Sequence, residues 1–326
     1  MVDPVKTESI EIAAEELLKG NLVAIPTETV YGLAADATSS EAVARVFSLK
    51  GRPADHPLIV HCASNEMAFG CCSQVTRSAR LLAEAFWPGP MTLVLPGSEK
   101  IDLQITGGQN SVAIRVPAHP LTLELLQAVE RPIVAPSANR FGKVSPTSAD
   151  HVVDEFIGEQ LTILDGGRCD VGIESTIVDC RDDQNVRVLR PGKITEQAIK
   201  DCIGNQAAGT SDADNPIRVS GNLPSHYAPS AKVILIEHGQ TKHWLRDLDR
   251  NTARTFLITT ESQPDPIPES IDWNQIPACQ EDYAHNLYSL LREADRKQFP
   301  QVAFELPEAA GIGIAIRDRL GRASSG

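Results

Sequence analysis

Long apolar segments are absent from this sequence. No run in its 326 residues approaches the ~18 apolar residues that a helix needs to cross a bilayer. Residues 1–16 are also unlike a signal or transit peptide, because they carry acidic side chains and lack a basic segment followed by an apolar run. These two absences predict a cytoplasmic protein.

Paired cysteines are missing as well. The seven cysteines are odd in number, and none is spaced as Cys-x-x-Cys. In a long chain without a secretion signal, this pattern indicates reduced thiols rather than a disulfide framework. It also offers no pair with the spacing of a zinc finger.

Basic side chains are scarce relative to acidic ones. Lys and Arg number 30 against 43 Asp and Glu, so the formal net charge is −13. Affinity for nucleic acid depends largely on cations that displace counterions from phosphates, so this balance argues against tight, direct RNA binding. The hydrophobic fraction of 42% is nevertheless enough for a packed core and excludes wholesale disorder.

Helical and strand-like patterns alternate along the chain and predict an α/β protein. Thr38 and Glu41 have the spacing of a capping box at the start of one helix. The predicted helices are 9–19, 38–49, 76–86, 120–129 and 148–156, and the predicted strands are 22–26, 57–62, 91–95, 111–116, 132–136, 161–164, 176–178 and 186–189.

The pattern stops between Gly204 and Lys232, where Gly, Asn, Asp, Ser and Pro favour turns and solvated backbone. Strand-like runs at 233–236, 255–258 and 302–305 and a helical pattern at 283–296 then resume. A length of 326 residues fits two domains at ~100–200 residues each. The sequence therefore predicts a first domain at 1–203, a linker at 204–232 and a smaller α/β domain at 233–326.

Common functional motifs are also absent. The sequence has no phosphate loop, no Gly-x-Gly-x-x-Gly, no His-Glu-x-x-His and no Gly-x-Ser-x-Gly. The usual nucleotide-binding, zinc-protease and esterase interpretations therefore lose support. Polar clusters instead follow several predicted strands, where an open α/β sheet usually binds its ligand.

Two of these clusters contain cations. Lys50 and Arg52 follow the segment 26–33 and can grip a polyphosphate, but such cations can also complement a helix C-terminus, where each stabilises by ~0.3–1 kcal/mol. The spacing alone favours the second interpretation. In segment 111–117, strand alternation separates Arg115 from its apolar neighbours, so it either pairs with a carboxylate or is an ordinary surface residue.

Two further clusters are rich in small polar residues. Segments 135–139 and 143–147 offer hydroxyl and amide groups suited to cradling a ligand, although Thr147 is equally suited to capping a helix. Segments 165–167 and 172–179 contain glycines that turns alone would explain. A lone histidine such as His61 is more often structural than a ligand.

Taken together and in this order, these stretches resemble the YrdC-type threonylcarbamoyl-AMP synthases in their long, two-domain form. Five motifs recur in order across Pro26 to Gly192, and the similarity continues through Ser225-His226-Tyr227-Ala228-Pro229 to residues 311–320. The resemblance implies a YrdC-like twisted mixed sheet with flanking helices, followed by a smaller Rossmann-like α/β domain.

The resemblance also implies a reaction. The family joins L-threonine, bicarbonate and ATP into threonylcarbamoyl-AMP and pyrophosphate, for N6-threonylcarbamoyl modification of adenosine 37 in tRNAs that read codons starting with A. A separate tRNA threonylcarbamoyl transferase takes the product. The carbamate nucleophile is already anionic, so catalysis needs alignment and charge neutralisation more than a general base.

Site residues follow from the matching positions. The threonine pocket is expected to contain Thr29, His61, Arg115, Ala135 and Ser175. The ATP site is expected to contain Lys50, Arg52, His56, Ser111, Ser137, Asn139, Ser145, Arg190 and Tyr227. Lys50 and Arg52 would neutralise phosphates as the catalytic residues, and Arg115 would hold the amino-acid carboxylate. Mg2+ is expected with ATP, with Glu28 and Glu174 as candidate ligands.

Three hypotheses remain beside this one. The linker at 204–232 would close as a lid that excludes water from the labile carbamate and adenylate, although 221–224 lacks the lysine that some family members carry there. An RNA-binding module of the same fold is an alternative that the net charge opposes. A carbamoyl-transfer enzyme would need zinc-finger and acylphosphatase-like regions, which are missing.

Overall fold

A computed structural model describes residues 3–204, 217–221, 226–248 and 252–326. The chain divides into two units. The first unit contains 3–141, 145–170, 174–204 and 217–221 of the described residues, and the second contains 142–144, 171–173, 226–248 and 252–326. The three-part division at 1–203, 204–232 and 233–326 stays a prediction.

The first unit is built around one sheet with helices between its strands. Its strands are β1 (Val5–Thr7), β2 (Val23–Ile25), β3 (Gly32–Asp36), β4 (Ile59–His61), β5 (Met91–Pro96), β6 (Ser111–Arg115), β7 (Ile133–Val134), β8 (Thr162–Leu164), β9 (Thr176–Asp179) and β10 (Arg187–Arg190). Its helices are α1 (Ile10–Leu18), α2 (Ser40–Lys50), α3 (Asn65–Gly70), α4 (Arg77–Phe86), α5 (Leu103–Thr106), α6 (Pro120–Val129), α7 (Ala149–Glu155) and α8 (Glu196–Ile203).

The sheet mixes parallel and antiparallel pairs in the order β1-β8-β2-β3-β7-β4-β6-β5-β9-β10. Strand β4 runs parallel to β6, and β5 runs antiparallel to β6 but parallel to β9. This arrangement confirms the mixed α/β sheet that the resemblance implied.

The sheet is covered on both faces, which explains its uninterrupted apolar strands. Val23 and Ile25 pack with α1 and α6, whereas Ala24 between them packs in a second cluster that contains residues of α2 and α4. Successive side chains of a strand point to opposite faces, so both faces of β2 are buried.

The start of α2 differs from the prediction. Ser39 is the N-cap and accepts a hydrogen bond from the Ala42 N–H, whereas the Thr38 hydroxyl donates to the Asp36 carboxylate. The capping-box assignment to Thr38 was therefore wrong by one residue. At the other end Gly51 adopts a left-handed conformation, φ 63°, which terminates the helix and redirects the chain between Lys50 and Arg52.

The second unit contains a parallel sheet in the order β11-β14-β12-β13. This parallel α/β arrangement confirms the Rossmann-like expectation. None of the helices in the described residues of either unit is long and apolar enough to cross a membrane. The elements are β11 (Lys232–Ile236), α9 (Thr241–Arg246), β12 (Thr255–Thr259), β13 (Ile271–Gln275), α10 (Gln280–Arg296), β14 (Gln301–Glu305) and α11 (Gly313–Ala323).

Glu305 ties together the loops that follow three of these parallel strands. Its carboxylate accepts from the Thr259 hydroxyl at 2.5 Å and from the N–H groups of Gly239 and Thr260 at 2.9 Å. Burial by itself raises the pKa of Glu305, but these hydrogen bonds outweigh it and hold the pKa below its ordinary value.

Replacing Glu305 by Gln should lower the free energy of unfolding by ~1.5–3 kcal/mol at pH 7, because hydrogen bonds to a charged acceptor are lost. A lowered folded-state pKa contributes stability above the unfolded-state pKa and loses it as the pH falls through the folded-state value. The deficit should therefore shrink on acidification. Denaturant unfolding of the full chain at pH 7 and pH 3 measures it.

The matched control is Glu308→Gln, whose side chain is 70% exposed. This variant should match the unsubstituted chain at both pH values. Equal stability of Glu305→Gln and the unsubstituted chain at pH 7 would contradict the role given to Glu305.

Candidate active site

Strand β6 carries two of the expected site residues. Ser111 begins the strand and Arg115 ends it, and four residues of strand place them on one face about 13 Å apart. The parallel register pairs Arg115 with His61 of β4. Two residues assigned to the threonine pocket therefore lie side by side at the carboxyl ends of neighbouring strands.

Arg115 is buried and held by three contacts. Its Nε donates to the Gly89 carbonyl at 3.1 Å, its Nη1 to the Thr29 hydroxyl at 3.0 Å and its Nη2 to Glu28 Oε1 at 2.6 Å. The structure thus brings Thr29 and Arg115 together, as expected for one pocket. It also identifies Glu28 as the ionic partner of Arg115, which the sequence analysis considered only as a metal ligand.

The loop after β2 fixes this contact through its own hydroxyls. The Thr27 hydroxyl accepts from the N–H groups of Thr29 and Val30 and donates to the Val30 carbonyl at 2.6 Å. The Thr122 hydroxyl of α6 donates to the Pro26 carbonyl. These local bonds hold the loop in one turn, so Glu28 and Thr29 reach Arg115 from a fixed backbone.

The surroundings of His61 favour the neutral form of its imidazole. Burial, helped by the positive charge of Arg115, lowers the pKa of His61 to about 3. Its Nδ1 lies 3.1 Å from the Ile59 carbonyl, which can only accept, so the proton belongs on Nδ1. Nε2 is then an acceptor, suited to a hydroxyl or an N–H of a ligand.

Ser175 links the two predicted subsites. Its carbonyl accepts from Nε and Nη2 of Arg190 at 3.2 and 3.0 Å, and its hydroxyl lies 2.8 Å from that of Thr92 on β5. A residue assigned to threonine and a residue assigned to ATP are therefore in direct contact. The remaining threonine residue, Ala135, follows β7, and its N–H donates to the Ile59 carbonyl at 3.2 Å.

Lys50 joins the end of α2 to the loop after β7. Its Nζ donates to the carbonyls of Ser137 and Asn139, both at 2.5 Å. Burial, reinforced by the neighbouring charge of Arg52, lowers the pKa of Lys50 well below its ordinary value. The structure thus places Lys50, Ser137 and Asn139 together, and their contact with ATP stays a prediction.

Arg52 and His56 share an aromatic neighbour. The Arg52 guanidinium donates to the Pro57 carbonyl at 2.9 Å and lies 5.8 Å from the centre of the Phe141 ring. His56 meets the same ring edge-on at 5.3 Å. Phe141 was not among the predicted site residues, and its signal in the sequence is an aromatic residue close behind the Ser137–Asn139 segment.

One described part of the predicted linker, residues 217–221, belongs to the first unit and contacts this site. Ser220 accepts from Arg190 Nη1 through its carbonyl at 2.8 Å and from Arg52 Nη2 through its hydroxyl at 3.4 Å. Gln109 pairs with the backbone of Arg218, accepting from its N–H at 2.9 Å and donating to its carbonyl at 3.1 Å. The Gln109–Arg218 pairing was not anticipated.

Ser111 lies beneath the same segment. It lines a small cavity together with Ile59 of β4 and Val219. Val219 packs in an apolar cluster with Ile59 of β4, Val94 of β5 and Ile177 of β9, which anchors the segment to three strands of the sheet. The segment therefore has both polar and apolar attachments.

Neither candidate carboxylate offers a clear magnesium site. Both oxygens of Glu28 are engaged, because Oε2 accepts from the Ala118 N–H at 3.1 Å and Oε1 binds Arg115. Glu174 Oε1 accepts from the Ser145 hydroxyl at 2.8 Å. Across the described ranges no group of three or more His, Cys, Asp or Glu side chains is placed to hold a metal ion. Glu28 does not fit the role of a metal ligand.

Tyr227 is described in the second unit. Its ring is buried, lies 5.4 Å from that of Tyr288 in a stacked arrangement and has the Arg319 guanidinium 5.5 Å from its centre. Its backbone adopts φ 62°, which a bulky residue rarely takes. The assignment of Tyr227 to ATP stays a prediction.

Two family models cover nearly the whole chain. Residues 15–192 match the model of Sua5, YciO and YrdC proteins described as "Telomere recombination". Residues 194–325 match the threonylcarbamoyl-AMP synthase C-terminal domain. A YrdC-type domain followed by a Sua5-type C-terminal domain defines the class of protein.

Full-length relatives agree with this class. The threonylcarbamoyl-AMP synthase of Pyrococcus abyssi is 41% identical over 325 residues, covering 97% of this chain and 94% of that protein, and that of Bacillus subtilis is 37% identical over 100% and 96%. The crystal structure of P. abyssi Sua5 complexed with L-threonine matches with a TM-score of 0.84 at 38% identity, covering 99% and 97% of the chains. The chain belongs to the threonylcarbamoyl-AMP synthase family, as the sequence motifs predicted.

The neutral state of His61 predicts a stability change with pH. An unfolded histidine binds a proton below its ordinary pKa of 6.5, whereas folded His61 does so only near 3. The folded state therefore loses stability as the pH falls through this window, by up to ~1.4 kcal/mol per unit. Asparagine does not titrate, so the substitution His61→Asn should remove that loss. The free energies of unfolding of the unsubstituted chain and of His61→Asn should therefore converge as the pH falls from 7.5 to 5.

Denaturant unfolding of the full chain across this range measures the effect. The control is His243→Asn, whose side chain is 68% exposed and which should run parallel to the unsubstituted chain. Parallel curves for His61→Asn as well would show that folded His61 titrates normally.

Proposed function

We propose that this chain is an L-threonylcarbamoyladenylate synthase. It would join L-threonine, bicarbonate and ATP into threonylcarbamoyl-AMP and pyrophosphate, which makes it a nucleotidyltransferase. A cytoplasmic tRNA threonylcarbamoyl transferase would use the product to modify adenosine 37 of tRNAs that read codons starting with A. The net charge of −13 favours this function over direct, tight RNA recognition by a module of the same fold.

One observation carries the proposal: Arg115 and Thr29 form a buried hydrogen bond in a chain that is similar over its full length to a threonine-bound structure. A guanidinium has five N–H donors. Three of those of Arg115 are used by Gly89, Thr29 and Glu28, and among the described residues no acceptor takes the remaining N–H on each terminal nitrogen. Two such donors match the two oxygens of an amino-acid carboxylate.

The chemistry follows from the neighbours of this pocket. Threonine's amine and bicarbonate would form a carbamate with loss of water, and a carbamate oxygen would then attack the α-phosphorus of ATP as pyrophosphate leaves. Arg190, assigned to ATP, donates to the carbonyl of Ser175, assigned to threonine, and this contact supports a cation between the two substrates. Lys50 and Arg52 would neutralise the phosphates, and the other ATP residues, including Ser111, Ser145 and Tyr227, would hold the nucleotide. Mg2+ would accompany ATP and add to that neutralisation.

We further propose that the linker covers the reacting groups. Ser220 contacts both Arg52 and Arg190, so residues 217–221 of the predicted linker lie against two cations assigned to ATP. Closure over them would exclude water from the carbamate and the adenylate. Residues 205–216 and 222–225 of the predicted lid lie outside the described residues.

Pyrophosphate release by the purified full chain tests the reaction. Release should require ATP, bicarbonate and L-threonine together. Arg52→Ala should lower kcat/KM for ATP by ~10- to 100-fold, because a charge-assisted contact worth ~1.5–3 kcal/mol is lost. The control Arg45→Ala, a substitution at a 47% exposed side chain, should leave the rate unchanged. Release without threonine would refute the assignment.

The lid has its own test in Gln109→Ala, which removes both hydrogen bonds to the backbone of Arg218. A loosened lid admits water, so ATP consumed per threonylcarbamoyl-AMP formed should rise severalfold. Chromatographic measurement of AMP and of threonylcarbamoyl-AMP in one reaction gives this ratio. Gln104→Ala, at an exposed position of α5, is the control, and an unchanged ratio in Gln109→Ala would argue against the lid.

A further inference from the structure

Glu28 places a negative charge directly beside the cation that would bind a negatively charged substrate group. Its Oε1 lies 2.6 Å from Arg115 Nη2, and the two side chains are 9% and 4% exposed. The negative charge of Glu28 and that of a substrate carboxylate would both be attracted to Arg115, so the two groups compete for this cation. Its presence therefore needs a reason beyond electrostatic attraction for the substrate.

Geometry supplies that reason. Arg115 has one anchor on each of its three nitrogens: Gly89 on Nε, Thr29 on Nη1 and Glu28 on Nη2. Three anchors on a planar group fix both its position and its plane. The unused N–H of each terminal nitrogen then points in a fixed direction, which a two-pronged contact with a carboxylate requires.

Glu28 is itself held from the other side. Its Oε2 accepts from the Ala118 N–H at 3.1 Å, and its backbone belongs to the turn closed by Thr27. The carboxylate thus transmits the position of the chain near Ala118 to Arg115. A flexible anion would neutralise Arg115 without orienting it, whereas this one does both.

We infer that Glu28 is a positioning residue for the substrate carboxylate, acting through Arg115. The inference rests on the proposed function and deepens it: the threonine subsite recognises an α-carboxylate through an arginine whose plane is set by a buried glutamate. In this role Glu28 acts through Arg115 and not on the reacting atoms, so its loss should affect recognition of one substrate group and leave the ATP subsite unchanged.

The test compares two probes, L-threonine and L-threoninamide, in which an uncharged carboxamide replaces the carboxylate. Calorimetric titration of the full chain should give a Kd for L-threonine at least ~10-fold lower than for L-threoninamide, as expected for a charge-assisted pair. In Glu28→Gln the Kd for L-threonine should rise by ~10-fold or more, while that for L-threoninamide should change by less than ~2-fold. KM for threonine should rise in parallel, with KM for ATP unchanged.

Asp36→Asn is the matched control, because Asp36 is also a buried carboxylate paired with an arginine, Arg131, at 2.7 Å in the same unit. It should leave both Kd values unchanged. If Glu28→Gln fails to fold, Glu28→Asp keeps the charge but shortens the reach, and it should show the same selective loss for L-threonine to a smaller extent.

The outcomes distinguish failure of the role given to Glu28 from failure of the carboxylate contact at Arg115 and from failure of the proposed function. A preserved preference for L-threonine in the Glu28 variants overturns the inference, and so does equal weakening of both probes, which marks a merely structural role. An unsubstituted chain that binds threonine but does not prefer it over threoninamide overturns the carboxylate contact at Arg115. One that does not bind threonine overturns the proposed function itself.

Discussion

The site depends on the burial of four cations. Lys50, Arg52, Arg115 and Arg190 are between 2% and 8% exposed. A buried charge is tolerated only when its N–H groups find acceptors, since desolvation otherwise costs several kcal/mol. The surrounding loops provide these acceptors. Their paths around the site bring oxygen atoms to the four side chains.

The kind of acceptor matters for the chemistry. Lys50 donates to two main-chain carbonyls, Arg52 to those of His56 and Pro57, and Arg190 to that of Ser175. A carbonyl dipole satisfies an N–H donor but does not cancel the positive charge. Cations held in this way keep an attractive field for phosphates and need no rearrangement as charge develops. Arg115 differs because a carboxylate balances it, in the subsite assigned to the smaller, zwitterionic substrate.

The sequence predicted the layers of the fold better than the contacts of the site. The buried apolar run Val23–Ile25 and the helical periodicity of α6 could be recognised in the sequence. Residues that pack in a core are apolar at the spacing of the strand or helix that carries them. Strand β3 escaped notice because Gly32–Asp36 consists of glycine, alanine, leucine and aspartate, which have little strand preference and become a strand only through pairing with β2 and β7. The Arg115–Glu28 pair spans 87 residues, and no local pattern reports such a contact. The resemblance named residues expected in the pocket, but not the contacts that hold them.

Gly142–Val144 and Val171–Ile173 belong to the second unit although the chain around them belongs to the first. Arg292 of α10 donates to the Val144 carbonyl, and a side chain at Gly172 would collide with the backbone of α10 near Ala284 and His285. The polypeptide therefore passes between the two units several times before it reaches the linker. Each unit is assembled from three separate stretches of chain, so neither is a continuous module, and grafting either onto another scaffold would require moving all three stretches at once.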